Sequence, residues 1–113
     1  MPTGLSRECL AIEELKTLLH ETPGSVVIID VRNPEEFQER HIPGAINIPL
    51  YELDSAPIEH FKNKMIVTTC GKGGGRSAHG AAILQQKGFK AIDLCNGSMG
   101  WFHMLDENTT PAL

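Results

Sequence analysis

Four consecutive β-branched residues, Val26-Val27-Ile28-Ile29, constrain this chain more than any other segment. A strand that is apolar at every position has no side left for water, so both of its faces must be covered. Met65-Ile66-Val67-Thr68-Thr69 and Ala91-Ile92-Asp93-Leu94 are further strand candidates, as is Ala45 to Ile48, closed by Pro49. A first short strand near Glu8 to Leu10 is more weakly signalled. Helical patterns lie between these runs. Ile12, Leu15, Leu18 and Leu19 recur at helical spacing until Pro23-Gly24 breaks the run. Asn33-Pro34-Glu35-Glu36 carries the marks of a helix start: an N-cap, a proline at the first position and a glutamate three residues on. His41-Ile42-Pro43-Gly44 ends that helix. Ser77 to Lys87 forms another helix with Gly88 as its C-terminal cap, and Met99 to Leu105 a last one. Apolar strands alternating with helices specify an α/β layer structure with a mostly parallel sheet.

In such sheets ligands bind beyond the carboxyl ends of the strands. Three strands deliver functional residues there: Asp30 to Arg32, Cys70 to Arg76, and Cys95 to Gly97. The 113 residues are about one domain's worth of chain. Ten basic residues against fourteen acidic ones give a net charge of -4, which argues against a nucleic-acid partner. No apolar stretch approaches the ~20 residues of a membrane span, and the first residues lack the pattern of a secretory signal. The expected location is therefore cytoplasmic. Cys9, Cys70 and Cys95 form no Cys-x-x-Cys pair, and the five histidines show no paired ligand spacing, so neither a metal nor another cofactor is expected.

The chemistry concentrates in Cys70-Gly71-Lys72-Gly73-Gly74-Gly75-Arg76-Ser77. A cysteine ends a buried strand, an arginine opens a helix, and four of the five residues between them are glycine. Glycine admits positive φ and close backbone approach, so successive N–H groups can converge on one anion at a helix N-terminus. That positive field favours a thiolate at Cys70. Arg76 offers planar two-point recognition of an oxyanion and Lys72 a mobile charge. A nucleotide-binding P-loop is excluded, because it sets Gly-Lys-Ser/Thr at the helix start, whereas here arginine precedes Ser77.

With this loop, Val27 to Phe37, His41 to Pro49 and Asn96-Gly97-Ser98-Met99-Gly100-Trp101, the chain resembles the single-domain rhodanese, or thiosulfate sulfurtransferase-like, family. The resemblance covers about residues 8–105 of a single domain spanning 1–113. It implies a three-layer α/β sandwich with a mostly parallel five-stranded sheet and helices on both faces. It also implies a persulfide mechanism in which Cys70 attacks the outer sulfur of thiosulfate or a similar donor. The amides of Gly71, Lys72, Gly73, Gly74 and Gly75, with Arg76, then hold the transferred sulfur. A thiophilic acceptor (cyanide, a small thiol or a protein thiol) removes it, in the ping-pong order that a covalent intermediate imposes.

By the same resemblance Asp30 and Arg32 brace the loop and the helix at 34–40, or touch substrate directly. Trp101 belongs to the core, and His41 with Pro43 and Gly44 to a turn. Cys95 is either a buried cysteine or a resolving thiol that attacks the Cys70 persulfide; Cys9 is structural. The loop departs from the usual sulfurtransferase pattern, which has four residues between cysteine and arginine rather than five. The longer spacing resembles the phosphatases and arsenate reductases of the same fold. Yet Thr69 replaces the histidine those phosphatases carry, and Gly71 to Gly75 supplies no acid for a leaving group. A persulfide carrier or sensor without fast turnover is a third reading.

Overall fold

The computed structural model describes residues 9–109. Five strands form one sheet: β1 (Cys9–Leu10), β2 (Val26–Asp30), β3 (Ile46–Asn47), β4 (Met65–Thr69) and β5 (Lys90–Leu94). Their spatial order is β1-β5-β4-β2-β3, and every neighbouring pair is parallel. The helices are α1 (Ile12–Glu21), α2 (Pro34–Glu39), α3 (Leu50–Leu53), α4 (Gly75–Gln86) and α5 (Gly97–Thr109). Single 3-10 turns occupy Pro23–Ser25 and Glu59–Phe61.

Strand alternation divides the interior into two cores. Ile28 and Val67 face Leu15 of α1 and Trp101 and Phe102 of α5. Ile29 and Ile66 face Leu53 of α3 and Leu84 of α4. Both faces of β2 and β4 are thus covered, as their unbroken apolar runs require. The outcome is the three-layer α/β sandwich expected from the sequence.

Local signals set the element ends. Asn33 caps α2, Pro34 opens it, and the Glu36 carboxylate accepts the Asn33 N–H at 3.0 Å. Gly88, at φ 94°, closes α4 in a Schellman motif. Its N–H donates to the Gln85 carbonyl, and the Phe89 N–H donates to the Leu84 carbonyl. Three boundaries differ from expectation. Helix α4 begins at Gly75 rather than Ser77, and α5 begins at Gly97 rather than Met99. In both cases glycine hides the helix start from a reading based on apolar spacing. The Ala45–Ile48 strand shortens to Ile46–Asn47. The single turn α3 carries no period long enough to register in the sequence. Cys9 and Leu10 form the weakly signalled strand, and Glu8 lies outside the described residues.

Candidate active site

Cys70 follows β4 directly, at the carboxyl edge of a strand flanked by β2 and β5. It is the free cysteine of the chain and is buried. Its thiol lies 3.3 Å from both the Gly74 carbonyl and the Ser77 hydroxyl. Ser77 is in turn fixed from two sides: its hydroxyl donates to the Gly74 carbonyl at 3.0 Å, and its own carbonyl accepts from Thr68 Oγ1 at 2.8 Å. Gly73, Gly74 and Gly75 all take positive φ, which turns the backbone through the loop and into α4. Among the described residues no backbone carbonyl accepts the N–H groups of Gly71 to Arg76. Those donors are left for an anion or a polarisable sulfur.

The loop's carbonyls, in contrast, are held. The first N–H groups of α5 donate to them, Ser98 to the Cys70 carbonyl and Met99 to the Gly71 carbonyl, both at 2.8 Å. Contact is close enough to demand glycine. A Cβ on Gly97 would stand 2.5 Å from the Cys70 carbonyl oxygen, and one on Gly73 would stand 2.7 Å from the Asn96 nitrogen. The Asn96-Gly97-Ser98-Met99 turn therefore clamps the cysteine loop. Beneath it, the Ser98 hydroxyl shares a hydrogen bond with Thr69 Oγ1 at 3.0 Å and lies 3.4 Å from Asp30 Oδ2.

Asp30 and Arg32 form a buried two-point ion pair. Arg32 Nε lies 2.9 Å from Asp30 Oδ1, and Arg32 Nη2 lies 2.8 Å from Oδ2. Arg32 Nη2 also donates to the Arg40 carbonyl at 2.7 Å, tying the end of β2 to the end of α2. This geometry is the brace; Arg32 additionally lines the Cys70 pocket. Arg76 points to Glu36, with Nη1–Oε1 at 2.9 Å and Nη2–Oε2 at 3.3 Å. The guanidinium holds the Glu36 carboxyl below its usual pKa, and the carboxylate raises that of Arg76. Lys72 is exposed at the pocket's edge, and His79 is exposed on α4.

The structure overturns one expectation. Cys95 is joined to Cys9 by a disulfide and is not a thiol available to a Cys70 persulfide. Pairing of β1 with β5 sets Cys9 opposite Asp93, which brings its sulfur to Cys95 two residues on, with Cα atoms 5.1 Å apart. Sequence spacing hid this contact, because the partners lie 86 residues apart. Trp101 and its neighbour Phe102 are core residues, as expected. His41 stacks on Phe37 and donates from Nδ1 to the Phe37 carbonyl, so it belongs to the turn.

Glu36, Ser77, Ser98 and Met99 are site residues that the sequence did not single out as such. Glu36 was legible only as a helix cap, and Ser77 only as the residue after the arginine. The pocket over Cys70 measures about 540 Å³, with Glu36, Arg76 and Met99 in its wall. A second hollow of about 460 Å³, beside α1, is lined by Leu10, Glu13, Glu14, Thr17, Leu18 and Met65 and holds no cysteine.

A family described as the rhodanese-like domain matches residues 11–104. The chain belongs to that family. A Bacillus subtilis (strain 168) protein provisionally named a sulfur carrier, YrkF, is 37% identical over 68% of this chain and 42% of its own length. The chain spans less than half the length of the curated relatives it matches. Among solved structures, a rhodanese-like domain protein from Staphylococcus aureus superposes with a TM-score of 0.74. It is 32% identical, with 84% of this chain and 91% of that one covered. The human single-domain sulfurtransferase TSTD1 also gives 0.74, at 25% identity over 86% of this chain and 96% of its own. The Cys70 loop lies at the carboxyl edge of the sheet of this rhodanese-like fold. Among the described residues no helix is long and apolar enough to cross a membrane.

Proposed function

We propose that this rhodanese-like chain is a sulfurtransferase that carries sulfane sulfur on Cys70 as a persulfide. The observation that carries this reading is a free thiol in a loop whose N–H groups no backbone carbonyl of the described residues accepts. The Cys70 thiolate attacks the outer sulfur of a donor such as thiosulfate. A Cys70–S bond forms, the donor's S–S bond breaks, and its electron pair leaves with sulfite. Sulfite leaves as a stable anion, so the acid-free loop needs no proton donor at this step. Amides of Gly71 to Gly75 hold the terminal sulfur, whose negative charge they match. A thiophilic acceptor, such as cyanide or a thiol, then attacks that sulfur and returns Cys70 to the thiolate.

Intact mass spectrometry before and after thiosulfate tests the reading. The expected result is one added sulfur, about 32 mass units, on the wild-type protein and none on Cys70→Ser. Failure to gain sulfur from thiosulfate, mercaptopyruvate and an organic persulfide alike would overturn it.

A further inference from the structure

Charge in the Cys70 pocket is largely spent before any ligand arrives. Arg32 is neutralised by Asp30 in a buried pair. Arg76 places both ends of its guanidinium on the Glu36 carboxylate, and that carboxylate itself lies in the pocket wall. Lys72 forms no ion pair with the described residues and stands exposed at the pocket's edge, where water and salt screen its charge. A doubly charged oxyanion entering this pocket would meet an Arg76 already paired and the Glu36 carboxylate in the wall. The loop's N–H groups can still receive an anion, but the carboxylate beside them penalises a second negative charge.

The rim has a different character. Met99 is 52% exposed, and its backbone is pinned to Gly71 beside the nucleophile. An adjoining hollow of about 300 Å³ is lined by Arg32, Glu36, Glu39, Arg40, Met99 and Phe102, and the Arg40 guanidinium stands 4.4 Å over the Phe102 ring. The exposed Met99 side chain beside the nucleophile suits a donor that has a carbon skeleton on its far side.

We propose that Glu36 is a specificity-determining residue, which occupies Arg76 and steers the site away from dianionic oxyanions toward organic persulfides as sulfur donors. This inference rests on the persulfide reading above. The step balances without any further reagent: Cys70–S⁻ attacks the outer sulfur of R–S–SH, the S–S bond of the donor breaks, and R–S⁻ leaves with the electron pair. The proton stays on the transferred sulfur. The R group lies toward Met99.

Single-turnover loading of Cys70, followed by intact mass with thiosulfate and separately with cysteine persulfide, tests the proposal. The wild-type protein is expected to load faster from cysteine persulfide. Glu36→Gln should raise the thiosulfate rate about tenfold, the scale of one charge at a half-exposed site, and by more than it changes the persulfide rate. Glutamine can still receive the Asn33 N–H, so α2 keeps its cap. Glu35→Gln, an exposed neighbour, controls for net charge and should alter neither rate. An unchanged thiosulfate rate in Glu36→Gln, or equal gains for both donors, overturns the proposal.

Protection of Cys70 from iodoacetamide by arsenate gives a readout independent of sulfur transfer. Protection should tighten about tenfold in Glu36→Gln, and unchanged protection counts against Glu36. Absence of sulfur uptake from either donor would sink the sulfur-transfer reading and the donor preference with it. The arsenate arm would still decide whether Glu36 discriminates against oxyanions.

Discussion

Two arginines stand at the same sheet edge, and each grips a carboxylate through two contacts. Arg32 and Asp30 are buried, with side chains 5% and 0% exposed. Arg76 and Glu36 are 41% and 40% exposed. Depth separates their roles. A buried pair carries its cost of leaving water whether or not a ligand is present, so neither partner can be released without penalty. A half-exposed pair is solvated on one side and worth little to stability, so it can answer to what binds beside it. One arginine joins the ends of β2 and α2 from inside the fold; the other stands in the wall of the Cys70 pocket.

The strongest attempt to break this comparison removes each arginine in turn. Arg32→Ala leaves Asp30 charged and buried, and should cost about 3–5 kcal/mol of stability. Arg76→Ala should cost less than about 1 kcal/mol. Denaturant midpoints measure both, and equal losses would dissolve the distinction. Gly97→Ala comes next. Positive φ and the contact with the Cys70 carbonyl should cost about 1–3 kcal/mol. The same variant should slow sulfur loading, because the α5 turn clamps the Cys70 loop through its carbonyls.

The smallest effect concerns pH. Arg76 depresses the Glu36 pKa in the folded state, so the pair contributes stability above the ordinary carboxylate value of 4.5. That contribution is lost as pH falls through the lowered folded value. Melting curves of wild type and Glu36→Gln should therefore differ slightly at neutral pH and converge in acid. A gap that persists well below that range would mean that Glu36 acts through packing rather than charge.

Legibility in the sequence followed the range of each interaction. The α2 start was readable because Asn33, Pro34 and Glu36 act within one turn. The β4-to-α4 loop was readable because its glycines, cysteine and arginine are consecutive. The turn α3 was not, since Leu50–Leu53 is too short for a period and is positioned by packing against α4.

By itself, the sequence determined the layered α/β fold and the glycine-rich turn that follows Cys70, because apolar runs and glycine clusters dictate local conformation wherever they occur. Only the tertiary structure decided which side chains meet. It joined Cys95 to Cys9 rather than leaving it for Cys70, and it set the α5 turn as a clamp on the cysteine loop. It also brought Glu36 across 40 residues to Arg76. Those choices depend on strand order and crossover packing, which bring together residues whose spacing in the chain carries no signal.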